Sequence, residues 1–447
     1  MYGGYILIYN IFKHNALKFP NKIALIFNDK KITYKELLHN VENRSFNIEK
    51  YAHVGVFLEN SIDFVELLLL ASKEKFTLVP FSTKNINFEK FDIEYIYDGE
   101  LKRIKEYKDK KSGYIIVSTS GSTSEPKPIV LTEEIKLKRI EIAKTSYGLS
   151  EKDVILVSTP IHHSLAQRGV LLSFVIGGTC VLLEKFNEKY FLEAIEKNKV
   201  TFSFAVSNQL EAIKNNIKNY NVSSIKCMVS TSYQLNSETK KELLNYFDIY
   251  ECYGTSEIGC VTHLSPQNIK EHPNSVGKTL EGVEIKIQNG EILVKSPWRF
   301  KEYYKLPQIT KEAFDGEFFK TGDLGKIMDG FLYYKGRKKE LIKTGGISVY
   351  PIDIEKVIKR VKGVEEVAVI GAEDEYFGEI VVAVIVGNVK KNDILKACNI
   401  LAPYQRPMFV DIVNELPKNA MGKLQKFKLK EKYKNLQIGK QLKGVKK

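Results

Sequence analysis

Cysteine is scarce in this chain, and none of it has metal-ligand spacing. The five cysteines, Cys180, Cys227, Cys252, Cys260 and Cys398, are scattered and odd in number, with no C-x2-C pair. A reduced set of thiols and a cytoplasmic location are expected. Long apolar runs are missing as well. The longest candidate, 64–71, falls far short of the roughly 20 residues needed to span a bilayer, so no membrane span is expected. The first twelve residues have no basic start and no small-residue cleavage site, so they do not read as a signal peptide. The nucleotide loop G-x4-G-K-[ST] is absent, and so is any internal repeat. Acids nearly vanish from the last thirty residues, where eleven lysines face a single Glu431. That stretch lacks the arginine and aromatic interleaving used on nucleic acids, so it reads as a solvated tail and no nucleic-acid partner is expected.

The 447 residues that are present suffice for two or three domains and a large core. Short apolar runs alternate with helical patterns, which argues an α/β fold. Strands are expected at 23–27, 54–58, 114–118, 154–158 and 179–183, and helices at 62–74 and 190–198. A β-rich stretch follows at 282–334, with hairpin signals at Asn289-Gly290, Asp315-Gly316 and Asp329-Gly330. The cluster 336–340 lies between two apolar runs and reads as an exposed linker. It divides the chain into 1–335, a hinge at 336–340, and a small α+β unit at 341–447. Pro351 suits the first turn of a helix continued by Ile354, Val357, Ile358 and Val361. Strands at 367–370 and 380–386, a helix at 393–401 and a strand at 409–413 complete the unit.

Four short motifs carry the chemistry. In the first, a strand feeds Ser118, Thr119, Ser120, Gly121, Ser122, Thr123 and Ser124, then Lys127. Hydroxyls, close backbone N–H groups and one cation suit a polyphosphate, and Gly121 allows close approach. The second is Tyr253-Gly254-Thr255-Ser256-Glu257, which offers a ring for a base, a hydroxyl for a phosphate and a carboxylate for Mg2+. The third is Thr321-Gly322-Asp323 followed by Gly336-Arg337, where a carboxylate can take both hydroxyls of a ribose. The fourth sets Lys423 on the turn Pro417-Lys418-Asn419-Ala420-Met421-Gly422. Each motif alone reads equally as a linker, a turn or part of the basic tail.

In this order, the four motifs resemble the adenylate-forming superfamily: acyl-CoA synthetases, adenylation domains of peptide synthetases, and firefly luciferase. The resemblance covers nearly the whole chain, from an opening at 19–38 in which Thr33-Tyr34 leads into a helix. It implies a large N-terminal domain of packed α/β sheets plus a β-barrel, then a small mobile α+β C-terminal domain. It also implies an AMP-forming acid–thiol ligase that takes ATP, Mg2+ and a carboxylic acid, makes an acyl-adenylate, and passes the acyl group to CoA or to an acyl-carrier protein. A non-catalytic adenylate sensor is the contrasting reading.

By the same resemblance, Lys423 bridges the substrate carboxylate and the α-phosphate, and Glu257 holds Mg2+. Thr123 and its neighbours hold pyrophosphate, Ser256 touches the α-phosphate, and Tyr253 stacks on adenine. Asp323 grips the ribose with Arg337 close by. Lys339 takes the hinge position, and Lys343 and Gly346 line a thiol tunnel. Departures from the family pattern are Ser124 and Pro128 at common glycine positions, Cys252 beside Tyr253 in the acyl pocket wall, and 230–233 near adenine, where Ser232 lies. In 160–164, His163 is expected near the substrate carboxylate. Leu165 and Gly169, at helical spacing, are expected to face the acyl group, with Gln167 and Arg168 turned elsewhere. No aspartate stands ready for an α-amino group, so an aryl or medium-sized acid is favoured over an amino acid.

Overall fold

The computed structural model describes residues 7–82, 87–107, 113–118, 127–418 and 424–436. Local chemistry explains where its elements begin and end. Thr33 accepts from the Glu36 backbone N–H, and the Glu36 carboxylate accepts from the Thr33 N–H at 2.7 Å, so a capping box opens the helix Tyr34–Glu42. Ser61 caps Ile62–Glu74 by accepting from Phe64 N–H. Gly177, with φ of 76°, closes Ser164–Ile176 in the left-handed conformation that a side chain would oppose. Asn289 and Gly290 both have positive φ, as do Asp329 and Gly330, which is what a two-residue hairpin turn demands.

These elements assemble into four sheets. A nine-stranded, largely parallel sheet runs from Lys278–Thr279 through Gly259–Leu264, Asp248–Thr255 and Cys227–Thr231 to Phe202–Val206. It continues through Val154–Val157, Thr179–Leu182 and Ile23–Phe27 to Lys30–Thr33. A six-stranded sheet is centred on His53–Val56 and Thr77–Pro80 and includes Ile115–Ser118 paired with Pro128–Leu131. The main apolar core joins these two sheets through helices Ile8–Lys18, Tyr34–Glu42, Ile62–Glu74 and Ser164–Ile176. A third, wholly antiparallel sheet stands in the stretch expected to be β-rich, with Phe318–Met328 between Glu291–Lys295 and Phe331–Arg337. The fourth sheet belongs to the C-terminal unit and is built on the pair Val364–Asp374 and Gly378–Gly387.

Apolar clusters draw on residues up to Tyr334 or from Ile342 onward, and none mixes the two sets among the described residues. The stretch between them is not the exposed linker that its charge suggests. Gly336 and Arg337 finish the strand Phe331–Arg337, and a short 3-10 turn, Lys338–Glu340, follows; only Lys338 and Lys339 are exposed. The cysteines also depart from expectation. Cys252 and Cys260 are joined in a disulfide across two antiparallel strands, while Cys180, Cys227 and Cys398 are free and buried. The reading of a fully reduced set fails because the tight reversal after Thr255 brings the two together, and spacing alone does not reveal that. No helix among the described residues is long and apolar enough to cross a membrane.

Candidate active site

Chain reversals at the ends of strands from several sheets leave a cavity of about 580 Å3, a size that suits a small-molecule site. Ser118 ends its strand at the cavity, Thr231 and Ser232 end theirs, and Gly254 to Glu257 leave the strand Asp248–Thr255. Crevices at the carboxyl ends of strands are where open α/β sheets bind ligands. Gly254 has no alternative here, because a Cβ would sit 1.9 Å from the Gly259 carbonyl oxygen. Ser232 holds a left-handed φ of 76° at the cavity wall, a conformation that costs a non-glycine residue about 1–2 kcal/mol.

On one side lies a fixed polar group. Asp323 is 2% exposed; its Oδ2 accepts from the Tyr253 phenol at 2.9 Å, and its Oδ1 lies 3.2 Å from Arg337 Nε. Antiparallel register places Asp323 directly opposite Arg337. Burial and the Asp323 charge hold the Tyr253 phenol well above its ordinary range, so it stays a donor. Tyr253 is therefore not an open platform. It is 8% exposed and is not among the residues lining the cavity, whereas Thr321, Gly322 and Arg337 meet the cavity directly.

Across the cavity, Glu257 Oε1 accepts from Tyr303 Oη at 2.9 Å, and Oε2 makes no hydrogen bond among the described residues. Burial and this carboxylate push the Tyr303 phenol up. Lys127 Nζ sits 4.9 Å from the centre of the Tyr303 ring. His163 precedes the helix Ser164–Ile176 and lines the cavity beside Leu165. Burial pushes His162 down to about 4 and His163 to about 3, the latter helped by its neighbour, with the rings 4.3 Å apart. Both imidazoles are neutral at pH 7, so His163 can meet a carboxylate as an N–H donor but not as a cation.

Other expected residues fall differently. Ser256, Cys252 and Ser232 line the cavity, and Lys339 stands at its edge. Lys343 and Gly346 lie on an exposed hairpin of the C-terminal unit, away from it. Thr119, Ser120, Gly121, Ser122, Thr123 and Lys423 lie outside the described residues. Gly169 is not among the residues that line the cavity. Its Cα rests on the strand Val154–Val157, where a Cβ would come 2.8 Å from Val157. Arg168, one residue earlier, lines the cavity instead, together with Arg139. Arg168 was expected to turn elsewhere, which the cavity lining corrects, and sequence reasoning passed over Arg139 and Tyr303. A usable signal was present: eight arginines against sixty lysines make an arginine inside an apolar helical pattern conspicuous.

A nucleotide-sized cavity with a gripped carboxylate on one wall, an open carboxylate on the other and a second small domain beside it defines a class, the enzymes that join a nucleotide to an acid. The chain belongs to the AMP-binding enzyme family of the adenylate-forming superfamily: that family's model matches residues 82–304, and the model of its C-terminal domain matches 353–423. It is an AMP-forming acid–thiol ligase of the acyl-CoA synthetase type. The 2-succinylbenzoate–CoA ligase of Bacillus pumilus is 29% identical over 94% of this chain and 97% of its own. Its counterpart from Listeria monocytogenes is 30% identical over 93% and 97%. Among solved structures, the o-succinylbenzoate CoA synthetase of Bacillus subtilis bound to its acyl-adenylate intermediate superposes with a TM-score of 0.85. That pair is 26% identical over 94% of this chain and 98% of that one. The same synthetase with ATP and a magnesium ion gives 0.84 at 25% identity, over 95% and 99% of the two chains.

Proposed function

We propose that the chain activates an aryl or medium-sized carboxylic acid with ATP, releases pyrophosphate, and transfers the acyl group from the adenylate to CoA. The observation that carries this reading is the pairing of Asp323, held by Tyr253 and Arg337, with an open Glu257 across one cavity. Attack of a carboxylate on the α-phosphate brings two anions together, so rate comes from positioning and charge neutralisation. Asp323 is oriented to accept the two ribose hydroxyls. Ser256 and Thr255 offer hydroxyls to the α-phosphate, and Lys423 supplies the charge between the reacting anions. Lys127 and the hydroxyl-rich segment 119–123 hold the pyrophosphate.

Glu257 fits a magnesium ion, since one of its oxygens makes no hydrogen bond among the described residues. Among the described residues no three His, Cys, Asp or Glu side chains cluster for a closed metal cage. Such an open site suits an ion held chiefly by phosphates and water, and the bound ion would neutralise charge on the departing pyrophosphate. The chain turns at Lys339, which withdraws Lys423 and brings the Lys343–Gly346 hairpin toward the thiol. An acyl-carrier protein is the alternative acceptor.

Pyrophosphate exchange into ATP across a panel of acids tests the first half, with 2-succinylbenzoate, the acid in the relatives' names, tried first. Thioester formation with CoA and with carrier proteins tests the second. Exchange by the wild type and its loss in Lys423→Ala are expected. ATP binding without exchange on any acid would instead support a non-catalytic adenylate sensor.

A further inference from the structure

The acyl end of the cavity holds more positive charge than adenylation requires. Arg139 of the helix Glu133–Ser146 and Arg168 of the helix Ser164–Ile176 line it, and Lys136 of the first helix adds a third charge close by. Lys136 and Arg139 are each 2% exposed. Arg168 is half-buried, and the cavity is where its open surface lies. Lys136 is satisfied within the protein, donating to Gln167 Oε1 at 2.6 Å and Ser164 Oγ at 3.3 Å. Arg139 is half satisfied: Nε donates to the Trp298 carbonyl at 3.0 Å and Nη2 to the Glu257 carbonyl at 2.9 Å, while buried Nη1 has no partner. Arg168 makes no hydrogen bond or ion pair among the described residues. Its Nε is sealed from solvent, and its guanidinium lies 5.5 Å from the centre of the Phe204 ring.

Among the described residues no carboxylate forms an ion pair with this cluster, and the Glu257 carboxylate compensates Arg139 only in part. Burial lowers the proton affinity of all three groups; Arg168 further opposes Lys136 and Arg139, while Glu257 and the Tyr147 phenol offset burial only in part for Arg139 and Arg168. Buried unpaired charge is among the costliest features a fold can keep. A guanidinium offers two parallel N–H donors matched to a carboxylate, and its preference for planar anions is strong. The nucleotide's phosphates already have Lys127, Ser256 and the metal site at Glu257, beside which Arg139 is anchored, so Arg168 is left to meet an anion from the acid itself.

We infer that Arg168, backed by Arg139, is the receptor for a second anionic group on the acid, so that the preferred substrates are diacids activated at one carboxyl only. The inference rests on the ligase reading above and specifies its substrate class. One carboxylate meets the neutral His163 and the α-phosphate; the other pairs with the guanidinium fork of Arg168. The charge that is costly in the empty protein becomes an ion pair in the complex, and the chain discriminates against acids whose far end is neutral. Removing a buried, unpaired charge is not expected to harm folding, so Arg168→Met should be at least as heat-stable as the wild type without ligand.

The test compares 2-succinylbenzoate, phthalate and adipate, each with its monomethyl esters, in pyrophosphate exchange by the wild type, R168M and R168K. The wild type should prefer at least one diacid over its esters by about tenfold or more in kcat/KM, the scale of a desolvated charge pair. R168M should bring that ratio close to one through a higher KM for the diacid, with the KM for ATP unchanged, and R168K should recover part of the preference. An unchanged ratio in R168M would overturn the proposal. So would a KM for ATP that rises equally with every acid, since Arg168 would then serve the nucleotide. If no acid supports exchange, the ligase reading fails, and the receptor is judged by binding: these diacids should raise the melting temperature of the wild type and not that of R168M, and equal shifts would overturn it.

Discussion

His162 and His163 sit side by side as neutral imidazoles in a wall that gives them no counter-charge. An unfolded histidine titrates near 6.5, whereas these titrate at about 4 and about 3. Between those values the unfolded chain binds more protons than the folded one. The stabilisation is thus complete above pH 6.5 and is lost as pH falls toward 4. The slope is at most about 1.4 kcal/mol per pH unit for each histidine. Urea denaturation at pH 7 and pH 5 should show the wild type losing more stability than His162→Gln; equal losses would mean that His162 is solvated. The same wall shows what a motif can and cannot reveal. Glu257 and Asp323 were legible because their chemistry travels with fixed neighbours. Arg168 was not, because Ser164–Ile176 is buried on nearly every side. Residues three and four after Leu165 are equally its neighbours, and only the packing of Gly169 on Val157 decides which of them meets the cavity.

One strand, Asp248–Thr255, carries much of the site, and a buried ion pair holds it. Glu251 pairs with Lys240 of the helix Ser237–Leu243; the two side chains are 2% and 0% exposed. Glu251 also accepts from Leu235 N–H at 2.8 Å, and Lys240 donates to the Pro273 carbonyl at 2.8 Å. Lys240→Met leaves a carboxylate buried alone and should cost about 3–5 kcal/mol, whereas Lys240→Met with Glu251→Leu should regain much of it. Urea titration of the single and double variants measures both. Additive losses would mean that the pair is not coupled. Hairpins and helix starts at this scale were legible, since Asn289-Gly290 and the Thr33–Glu36 box act over a few residues. The order of the nine-stranded sheet was not, because its neighbours, such as Ile23–Phe27 beside Thr179–Leu182, are far apart in sequence and are chosen by packing.

Among the described residues, Lys335 of the first half faces Asp353 of the second at 3.8 Å. Lys426 bridges Glu355 at 2.7 Å and Glu340, beside the turn, at 3.4 Å. A rotation about Lys339 would therefore part Lys335 from Asp353, keep the Lys426 bridge, whose partners all follow the pivot, and leave the apolar cores whole. Lys339→Pro fixes one backbone angle at the turn. Pyrophosphate exchange should survive, while thioester formation should slow by about tenfold or more. Equal loss of both activities, measured on one preparation, would show that the turn is not the pivot.

The bridged pair gives the protein an intrinsic reporter. Cys180 and Cys227 are buried, with their thiols pushed up to about 12, and Cys398 is buried too. Thiolate reagents should therefore leave the folded, oxidised chain unlabelled. Mild reduction would unmask Cys252 and Cys260 alone, both on the cavity wall. Their rate of alkylation then becomes a clock for occupancy, slowing when an acid or an adenylate covers them, with no label introduced and no turnover needed.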